Sequence, residues 1–306
     1  MATNMLRVLK GALVAVAFCL IAGTAYSETY CTGHNSASAL SIATGNQYRE
    51  CIATPQEVEF IVYDISMCTS EPDVGSVGSC TSIFSSTSGK EVLVSESTSI
   101  SLDPAISLEN GDYTYVALTL DIRVGVKVAF DLGFNTGLMN GWNSTSGEYC
   151  WSNGSDIDSY GVNRGNLGNV RCGSLQESLS QAAMSYENIN VFEDSIGFTN
   201  TLNNESSGNN TTFDIDLLDS AGQRASIVPD PTTGVYADAD KLFVIIELPS
   251  AQRVNETSSN IDVGFKVSDL VLMKLAPTAD ASIHCSGPIC FQNASVSGIS
   301  FYATIR

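Results

Sequence analysis

The part of this sequence best suited to ligand chemistry is residues 141–172, which are rich in aromatic, Asn, Ser and Asp side chains and lack strand or helix periodicity. They include four aromatic candidates for a binding site: Trp142, Tyr149, Trp151 and Tyr160. Sugars stack their C–H faces on exposed aromatic rings, and Asn and Asp side chains bond sugar hydroxyls. The pattern predicts a disulfide-clipped loop whose two Trp residues cap the core beside Cys150 and Cys172. In the alternative, the four aromatic residues form a carbohydrate-binding site.

Three aspartate pairs with i, i+2 spacing form a second group of candidates: Asp156 with Asp158, Asp214 with Asp216, and Asp238 with Asp240. On an extended backbone the two members of a pair point the same way and repel each other. Ca²⁺ takes oxygen ligands of this kind, so we expect it as an optional ligand and require no cofactor. The alternatives are a solvated acidic face and the acid pair of a glycoside hydrolase.

The usual catalytic constellations are missing from the sequence. It contains no Gly-rich phosphate loop after a strand, no His-Glu-x-x-His helix and no Gly-x-Ser-x-Gly elbow. His34 and His284 are the only histidines, so a Ser-His-Asp triad can be built in few ways. The sequence therefore predicts a protein that is not an enzyme.

Residues 1–27 are typical of a secretory signal peptide. Arg7 and Lys10 precede an apolar run at residues 12–22, and small residues follow up to Ser27. Such a run is too short to span a bilayer comfortably, and no later stretch is long and apolar enough. We expect a secreted, periplasmic or cell-surface protein whose mature chain has no membrane span.

Eight cysteines remain once the leader is removed, and an even count in an exported chain indicates disulfides. They are Cys31, Cys51, Cys68, Cys80, Cys150, Cys172, Cys285 and Cys290. The simplest prediction is nearest-neighbour pairing in chain order, because each pair brackets a loop rich in Ser, Gly or Asn. Zinc is the alternative, although the two histidines offer it few nitrogen ligands.

The charge balance is strongly acidic. The whole chain has a formal net charge of −19, and the leader carries two basic residues and no acidic one, which leaves −21 for the mature chain. Nucleic acids and anionic membranes are therefore poor partners, while divalent cations and basic surfaces are better ones.

The candidate site residues must be positioned by β-strands. Apolar side chains occupy every second position from 116 to 134, which is the period of a strand. A strand of this length is unusual, so we expect a bend or break near Asp121 or Gly125. From residue 57 to 67 the apolar face switches midway, which predicts a bulge between Val62 and Asp64 or burial on both sides. Residues 242–248 are apolar on both faces and predict a central strand.

These patterns predict an all-β fold, an antiparallel β-sandwich with disulfide-clipped loops and one short helix. The helix is expected after Ser174, because Glu177 stands three residues later as in a capping box. Apolar residues then recur at helical intervals: Leu175, Leu179, Ala183 and Tyr186.

An internal echo bears on the domain organisation. Residues 122–129 and 261–268 share the pattern Ile-x-Val-Gly-x-Lys-Val. Duplication of a sandwich half explains the echo, and so does a common packing rule for amphipathic strands. We divide the chain into the signal peptide (1–27), an N-terminal sandwich half (28–135), the clipped loop with the short helix (136–187) and a C-terminal half (188–306).

Residues 58–67, followed by Leu108-x-x-Gly-Asp-Tyr-Thr-Tyr-Val and an alternating strand, resemble secreted bacterial β-sandwich domains of transthyretin-like or immunoglobulin-like topology. In such sandwiches a Tyr after a turn ties a corner between sheets. The resemblance covers residues 57–134, implies an envelope or extracellular location, and carries over no active-site residue.

Together these observations predict an exported, acidic, non-enzymatic protein of the cell surface or an extracellular assembly, with a structural or adhesive role. Its expected partners are other copies of itself or surface proteins. A carbohydrate-binding module that uses the aromatic loop, with glycans as its partner, is the alternative, and an acid-pair glycoside hydrolase is the third hypothesis.

Overall fold

The computed structural model describes residues 29–43, 50–74, 77–95, 99–101, 108–135, 147–158, 169–190, 192–194, 197–206, 212–227, 235–255, 261–266, 271–276, 290–296 and 300–305. These residues form twenty β-strands and two short helices in mostly antiparallel sheets, so the predicted all-β, sandwich-like fold is confirmed. The predicted leader, residues 1–27, lies outside the described residues.

The elements of the first half, in chain order, are α1 (Ala37–Ala43), β1 (Glu50–Ala53), β2 (Glu57–Cys68), β3 (Cys80–Ser95), β4 (Ser99–Ser101), β5 (Gly111–Asp121), β6 (Arg123–Lys127), β7 (Ala129–Asp131), β8 (Tyr149–Ser152), β9 (Ile157–Asp158) and β10 (Val170–Gly173). The second half continues with α2 (Leu175–Gln181), β11 (Ser185–Asn188), β12 (Phe192–Asp194), β13 (Gly197–Thr199), β14 (Thr201–Ser206), β15 (Thr212–Leu218), β16 (Lys241–Val254), β17 (Ile261–Lys266), β18 (Val271–Ala276), β19 (Cys290–Val296) and β20 (Ser300–Ile305).

A nine-stranded sheet dominates the fold. Its strand β2 pairs with β3 on one side and with β5 and β6 on the other. Beyond β5 lie β16, β15 and β14, and beyond β6 lie β11 and β9. Of these pairs only β9 with β11 is parallel in the described part of the chain. The sheet therefore divides into two arms where β5 passes into β6.

The predicted break in the long alternating strand is confirmed beside Asp121. Strand β5 ends at this residue, Ile122 interrupts the strand, and β6 begins at Arg123. The Asp121 carboxylate accepts the backbone N–H of Arg123 at 2.8 Å, a local bond that competes with strand pairing. A second interruption at Val128 lets β7 leave the large sheet and pair with β8.

The predicted bulge in β2 is also confirmed. The register shifts between Val62 and Asp64 in both neighbouring ladders. Because of this shift, Ile65 and Met67 return to the same buried cluster as Phe60, although they lie in the opposite phase of the sequence. On β3 the register passes from Lys90 to Ser85, so residues 86–89 lie opposite the bulge as extra residues of the same strand. Gly89 there has a φ of 76°, and a Cβ would collide with the Ile61 side chain.

Strand β16 is buried on both faces, as its continuous apolar sequence predicts. Leu242, Val244 and Ile246 join the main core cluster with β2 and β5. Phe243 and Ile245 point the other way and pack with Cys68 under the loop that the Cys68–Cys80 disulfide closes. The sheet is thus covered on both sides at this strand.

Two smaller sheets, β1-β18-β19 and β20-β17-β4, complete the sandwich. Val126 of β6 shares a buried cluster with Val271 and Met273 of β18, which places one small sheet against the end of the large one. The echoed segments occupy different settings, since β6 lies in the large sheet and β17 in a small one. Strands β5 and β16 pair directly, so the predicted 135/136 boundary does not separate two sheets.

Three predicted disulfides are confirmed: Cys31–Cys51, Cys68–Cys80 and Cys150–Cys172. Cys285 lies outside the described residues, so the Cys285–Cys290 bridge stays a prediction. In the described part of the chain, no helix has the length and apolar character needed to cross a membrane.

The predicted short helix is α2, and its capping box is present. The Ser174 hydroxyl caps the N–H of Glu177, and Glu177 accepts the Ser174 N–H at 2.8 Å. These bonds lower the pKa of Glu177. The predicted continuation to Tyr186 is wrong, because the backbone becomes extended at Ala182 and Tyr186 lies in β11. The helix α1 near the N-terminus was not predicted.

The Tyr that follows the turn, Tyr113, makes a local hydrogen bond of the kind by which a Tyr ties a corner in sandwich proteins. Its side chain is buried, and its hydroxyl donates to the carbonyl of Glu109, four residues upstream, at 3.1 Å. The bond fixes the entry of β5 into the sheet.

Tyr113→Phe is expected to lower the free energy of unfolding by about 1 kcal/mol, because it removes one net hydrogen bond and leaves the packing unchanged. Urea unfolding followed by circular dichroism measures the change. Tyr115→Phe is the matched control, since the Tyr115 hydroxyl has no such carbonyl partner in the described residues. Equal loss in both variants would refute the corner.

Candidate functional site

The region predicted as an irregular loop contains a small sheet. Strands β7, β8 and β10 pair in the order β10-β8-β7, and Cys150 lies directly opposite Cys172. The disulfide therefore joins two facing residues and fixes the register of β8 against β10. The prediction that this region lacks strands is wrong for these residues, because the cross-strand disulfide imposes a ladder on sequences too short to show a period.

The face of this sheet opposite the disulfide is the candidate site, and we call it the aromatic face. Trp151 stands opposite Ala129 on one side and Arg171 on the other, while Tyr149 stands opposite Asp131 and Gly173. Directly paired residues point to the same side of a sheet. The aromatic face is made of these six residues: Ala129, Asp131, Tyr149, Trp151, Arg171 and Gly173.

Two of the four predicted aromatic site residues, Tyr149 and Trp151, share the aromatic face. Trp151 is only 2% exposed, so its ring is not offered to a sugar in solution, and the sugar-binding alternative is wrong for this residue. Its burial agrees with the prediction in which the Trp is part of the interior. Trp142 and Tyr160 lie outside the described residues, so their sugar-binding role stays a prediction.

Tyr149 is half-buried and interacts with Asp131. The hydrogen bond with the Asp131 carboxylate, helped by its negative charge, raises the pKa of the Tyr149 phenol. Asp131 was not among the site residues predicted from the sequence. The phenol and the carboxylate therefore face each other at this end of the aromatic face.

The other end of the aromatic face contains two buried donors without acceptors. The indole Nε1 of Trp151 and the Nε of Arg171 are both buried and have no hydrogen-bond partner in the described part of the chain. Sequence reasoning missed Arg171. The signal was nonetheless present, because placing Cys150 opposite Cys172 places Trp151 opposite Arg171 in an antiparallel pair.

Of the acidic pairs, Asp214 and Asp216 lie on one strand, β15, as their alternation predicts. Asp216 is 2% exposed and accepts hydrogen bonds from Arg224 Nε and Thr201 Oγ1, each at 2.7 Å. Arg224 also donates to Asp73 at 2.8 Å. We call these four residues the Arg224 clamp: Asp73, Thr201, Asp216 and Arg224. The pKa of Arg224 is raised, chiefly by its hydrogen bond to Asp216.

Asp238 and Asp240 lie in a turn before β16 and not on an extended strand, so the predicted parallel orientation does not apply to them. The Asp238 carboxylate accepts the backbone N–H groups of Ser226 and Ile227, both at 2.9 Å. Burial alone would raise the pKa of Asp238, but these amide bonds outweigh it and lower the pKa. Asp240 lies 4.0 Å from the Lys241 ammonium group.

Asp238→Asn is expected to lower the free energy of unfolding at neutral pH by about 1 kcal/mol, since the amide bonds favour a charged carboxylate. Because the pKa of Asp238 is lower in the folded protein than in the unfolded chain, its charge stabilises the folded protein at pH values above the unfolded pKa. This contribution is lost as the pH falls through the folded pKa. The difference between wild type and variant should therefore shrink below about pH 4. Urea unfolding at pH 7, 5 and 3 measures it.

The matched control is Asp240→Asn, whose carboxylate is exposed and lies at the limit of an ion pair. This control should change stability little at any of the three pH values. A difference between wild type and Asp238→Asn that stays constant from pH 7 to pH 3 would contradict the role given to the Asp238 charge.

The remaining candidates have simple surroundings. Asp156 lies 3.7 Å from the Arg123 guanidinium on the surface, and the side chain of Asp158 is outside the description. His34 Nε2 lies 2.9 Å from the carbonyl of Tyr30, and His284 is not among the described residues. The described residues contain no group of three or more His, Cys, Asp or Glu side chains placed to hold a metal ion. Calcium binding stays a prediction.

No protein-family model, curated protein or solved structure matches this chain. The resemblance of residues 57–134 to secreted bacterial sandwich domains therefore stays a prediction.

Proposed function

We propose that the mature chain is an exported, non-enzymatic protein of the cell surface or of an extracellular assembly, with a structural or adhesive role. The observation that carries this proposal is the position of the disulfides. Cys68–Cys80 joins facing residues of β2 and β3, and Cys150–Cys172 joins facing residues of β8 and β10. In the described part of the chain, β3 and β10 each pair on one side only.

Edge strands are the first to separate when a sheet is pulled or frays, because only one ladder holds them. A covalent bond between facing residues prevents that separation locally and restricts the unfolded chain. Such bonds persist in oxidising compartments outside the cytosol. Disulfides at sheet edges therefore suit a protein that must keep its shape outside the cell without chaperones.

The acidic residues support the non-enzymatic part of the proposal. The carboxylates of Asp216 and Asp238, which suggested metal or hydrolase chemistry, bind Arg224 and backbone amides and so hold the fold together. The acidic net charge of the chain favours solubility and repels anionic surfaces. Its expected partners are further copies of the chain or basic regions of surface proteins.

Fractionation of the producing cells tests the proposal. The mature protein should occur in the medium or on the surface, oxidised, and as particles or filaments visible by electron microscopy. The matched control is a chain lacking residues 1–27, which should stay in the cytosol with reduced thiols. A mature protein that carries eight free thiols would overturn the export argument. An oxidised monomer that neither assembles nor binds cells would overturn the structural or adhesive role.

A further inference from the structure

The two unpartnered donors of the aromatic face lie side by side. Trp151 and Arg171 are direct cross-strand neighbours in the β8–β10 ladder. Side chains at such positions share one side of the sheet, with Cβ atoms about 5 Å apart. Trp151 is 2% exposed, and both its Nε1 and the Arg171 Nε are buried. The two donors therefore belong to neighbouring side chains on one side of the sheet.

The character of the missing partner follows from the donors. Indole N–H and guanidinium N–H groups donate hydrogen bonds and accept none, so the partner must supply oxygen acceptors. Burying an unpaired donor costs free energy, and burying part of a guanidinium without a counter-charge costs more. A negatively charged acceptor offsets both the cost of the unpaired donors and the cost of the unbalanced charge. A neutral water molecule offsets only the cost of the unpaired donors.

Arg171 differs from the other arginines whose side chains are described. Arg123, Arg224 and Arg253 each lie within ion-pair distance of an aspartate. Arg171 has no carboxylate within that distance in the described part of the chain, although the protein contains 33 acidic residues. By register, the acid nearest to Arg171 on this face is Asp131, which lies on β7, two strands away, opposite Tyr149.

We propose that Trp151 and Arg171 form a binding site for one oxyanionic group, a carboxylate, sulfate or phosphate. The group accepts hydrogen bonds from Trp151 Nε1 and Arg171 Nε, and the Arg171 charge balances its own. The burial of Trp151 limits the site to one such group and excludes a stacked sugar ring. The site does not depend on the structural or adhesive role, so either can fail alone.

Thermal unfolding of the oxidised mature protein in different sodium salts tests the site. Acetate, sulfate and phosphate are each compared with chloride at matched ionic strength, and the three arms distinguish the class of anion. At about ten times its Kd, the favoured anion should raise Tm by about 3–5 °C. In a Trp142→Phe background, the fluorescence of Trp151 should change over the same concentration range.

Sulfate and phosphate stabilise many proteins because these anions are excluded from the protein surface. Variants that lack one of the two donors are therefore needed to distinguish binding at the site from this general effect. Trp151→Phe keeps an aromatic ring and lacks the N–H, and Arg171→Met keeps the aliphatic stem and lacks the charge. Both should lose the difference in Tm between the favoured anion and chloride. Arg253→Met is the matched control, because Arg253 is exposed and pairs with Asp112, and it should keep the difference.

Two outcomes would overturn the site. One is the same Tm in all four salts. The other is an anion effect that persists unchanged in Trp151→Phe and Arg171→Met, which would identify it as general salt stabilisation. If Arg171→Met fails to fold, Trp151→Phe alone decides between these outcomes.

Discussion

Trp151→Ala is expected to lower the free energy of unfolding by about 3–5 kcal/mol, the usual cost of removing a large buried aromatic side chain. The Trp151 ring is 2% exposed and lies next to the Cys150–Cys172 bridge in sequence. Its loss leaves a cavity in a sheet of only three short strands, which has little other apolar material to fill it. Chemical unfolding of the oxidised protein measures the change.

Trp151→Phe serves as the control for this prediction, because it keeps most of the ring volume and should cost clearly less than alanine. An exposed, sugar-binding Trp151 would behave differently, since its replacement by alanine would lower glycan affinity and leave stability nearly unchanged. A stability loss below about 1 kcal/mol in Trp151→Ala would show that the residue is not interior.

Arg224→Met is the second large effect, with an expected loss of about 2–4 kcal/mol in the free energy of unfolding. The variant keeps an aliphatic side chain and removes the charge from the Arg224 clamp. The Asp216 side chain is 3% exposed and loses its only described ion-pair partner, so a buried carboxylate is left with the Thr201 hydroxyl. The loop that contains Asp73 also loses its bond to Arg224.

Arg253→Met is the matched control for Arg224→Met. Arg253 and Asp112 are both well exposed and lie 3.8 Å apart, so their ion pair contributes less than about 1 kcal/mol. Urea unfolding of both variants at pH 7 gives the comparison. Equal losses in the two variants would show that the burial of Asp216 does not matter for stability.

Much of the fold was predictable because sheets impose a period of two on the sequence. The phase switch in β2 predicted its bulge, and the excessive length of the 116–134 alternation predicted the break that occurs beside Asp121. The sequence of β16 is apolar on both faces, and this predicted its central position in the sheet. In each case the sequence pattern indicates which side chains are buried, and their burial determines the local geometry of the strand.

The side-chain contacts were less predictable, because they depend on turns and strand pairing that leave no period in the sequence. Nothing near Asp216 in the alternation of β15 indicates that Arg224 returns to it after a turn. The small sheet around Cys150 has strands of three or four residues, too short to show a period. Its register comes from the disulfide, and only that register brings Arg171 beside Trp151.

The pairing of β5 with β16 constrains how the chain folds. Gly111 of β5 lies opposite Val254, so 143 positions of sequence separate two directly paired residues of one ladder. During synthesis, β5 has no partner on that side until β16 has emerged. Closure of such a distant pair is slow, and the open strand is exposed to aggregation meanwhile. The late arrival of β16 therefore leaves the large sheet incomplete until residue 254 of the 306 has been made.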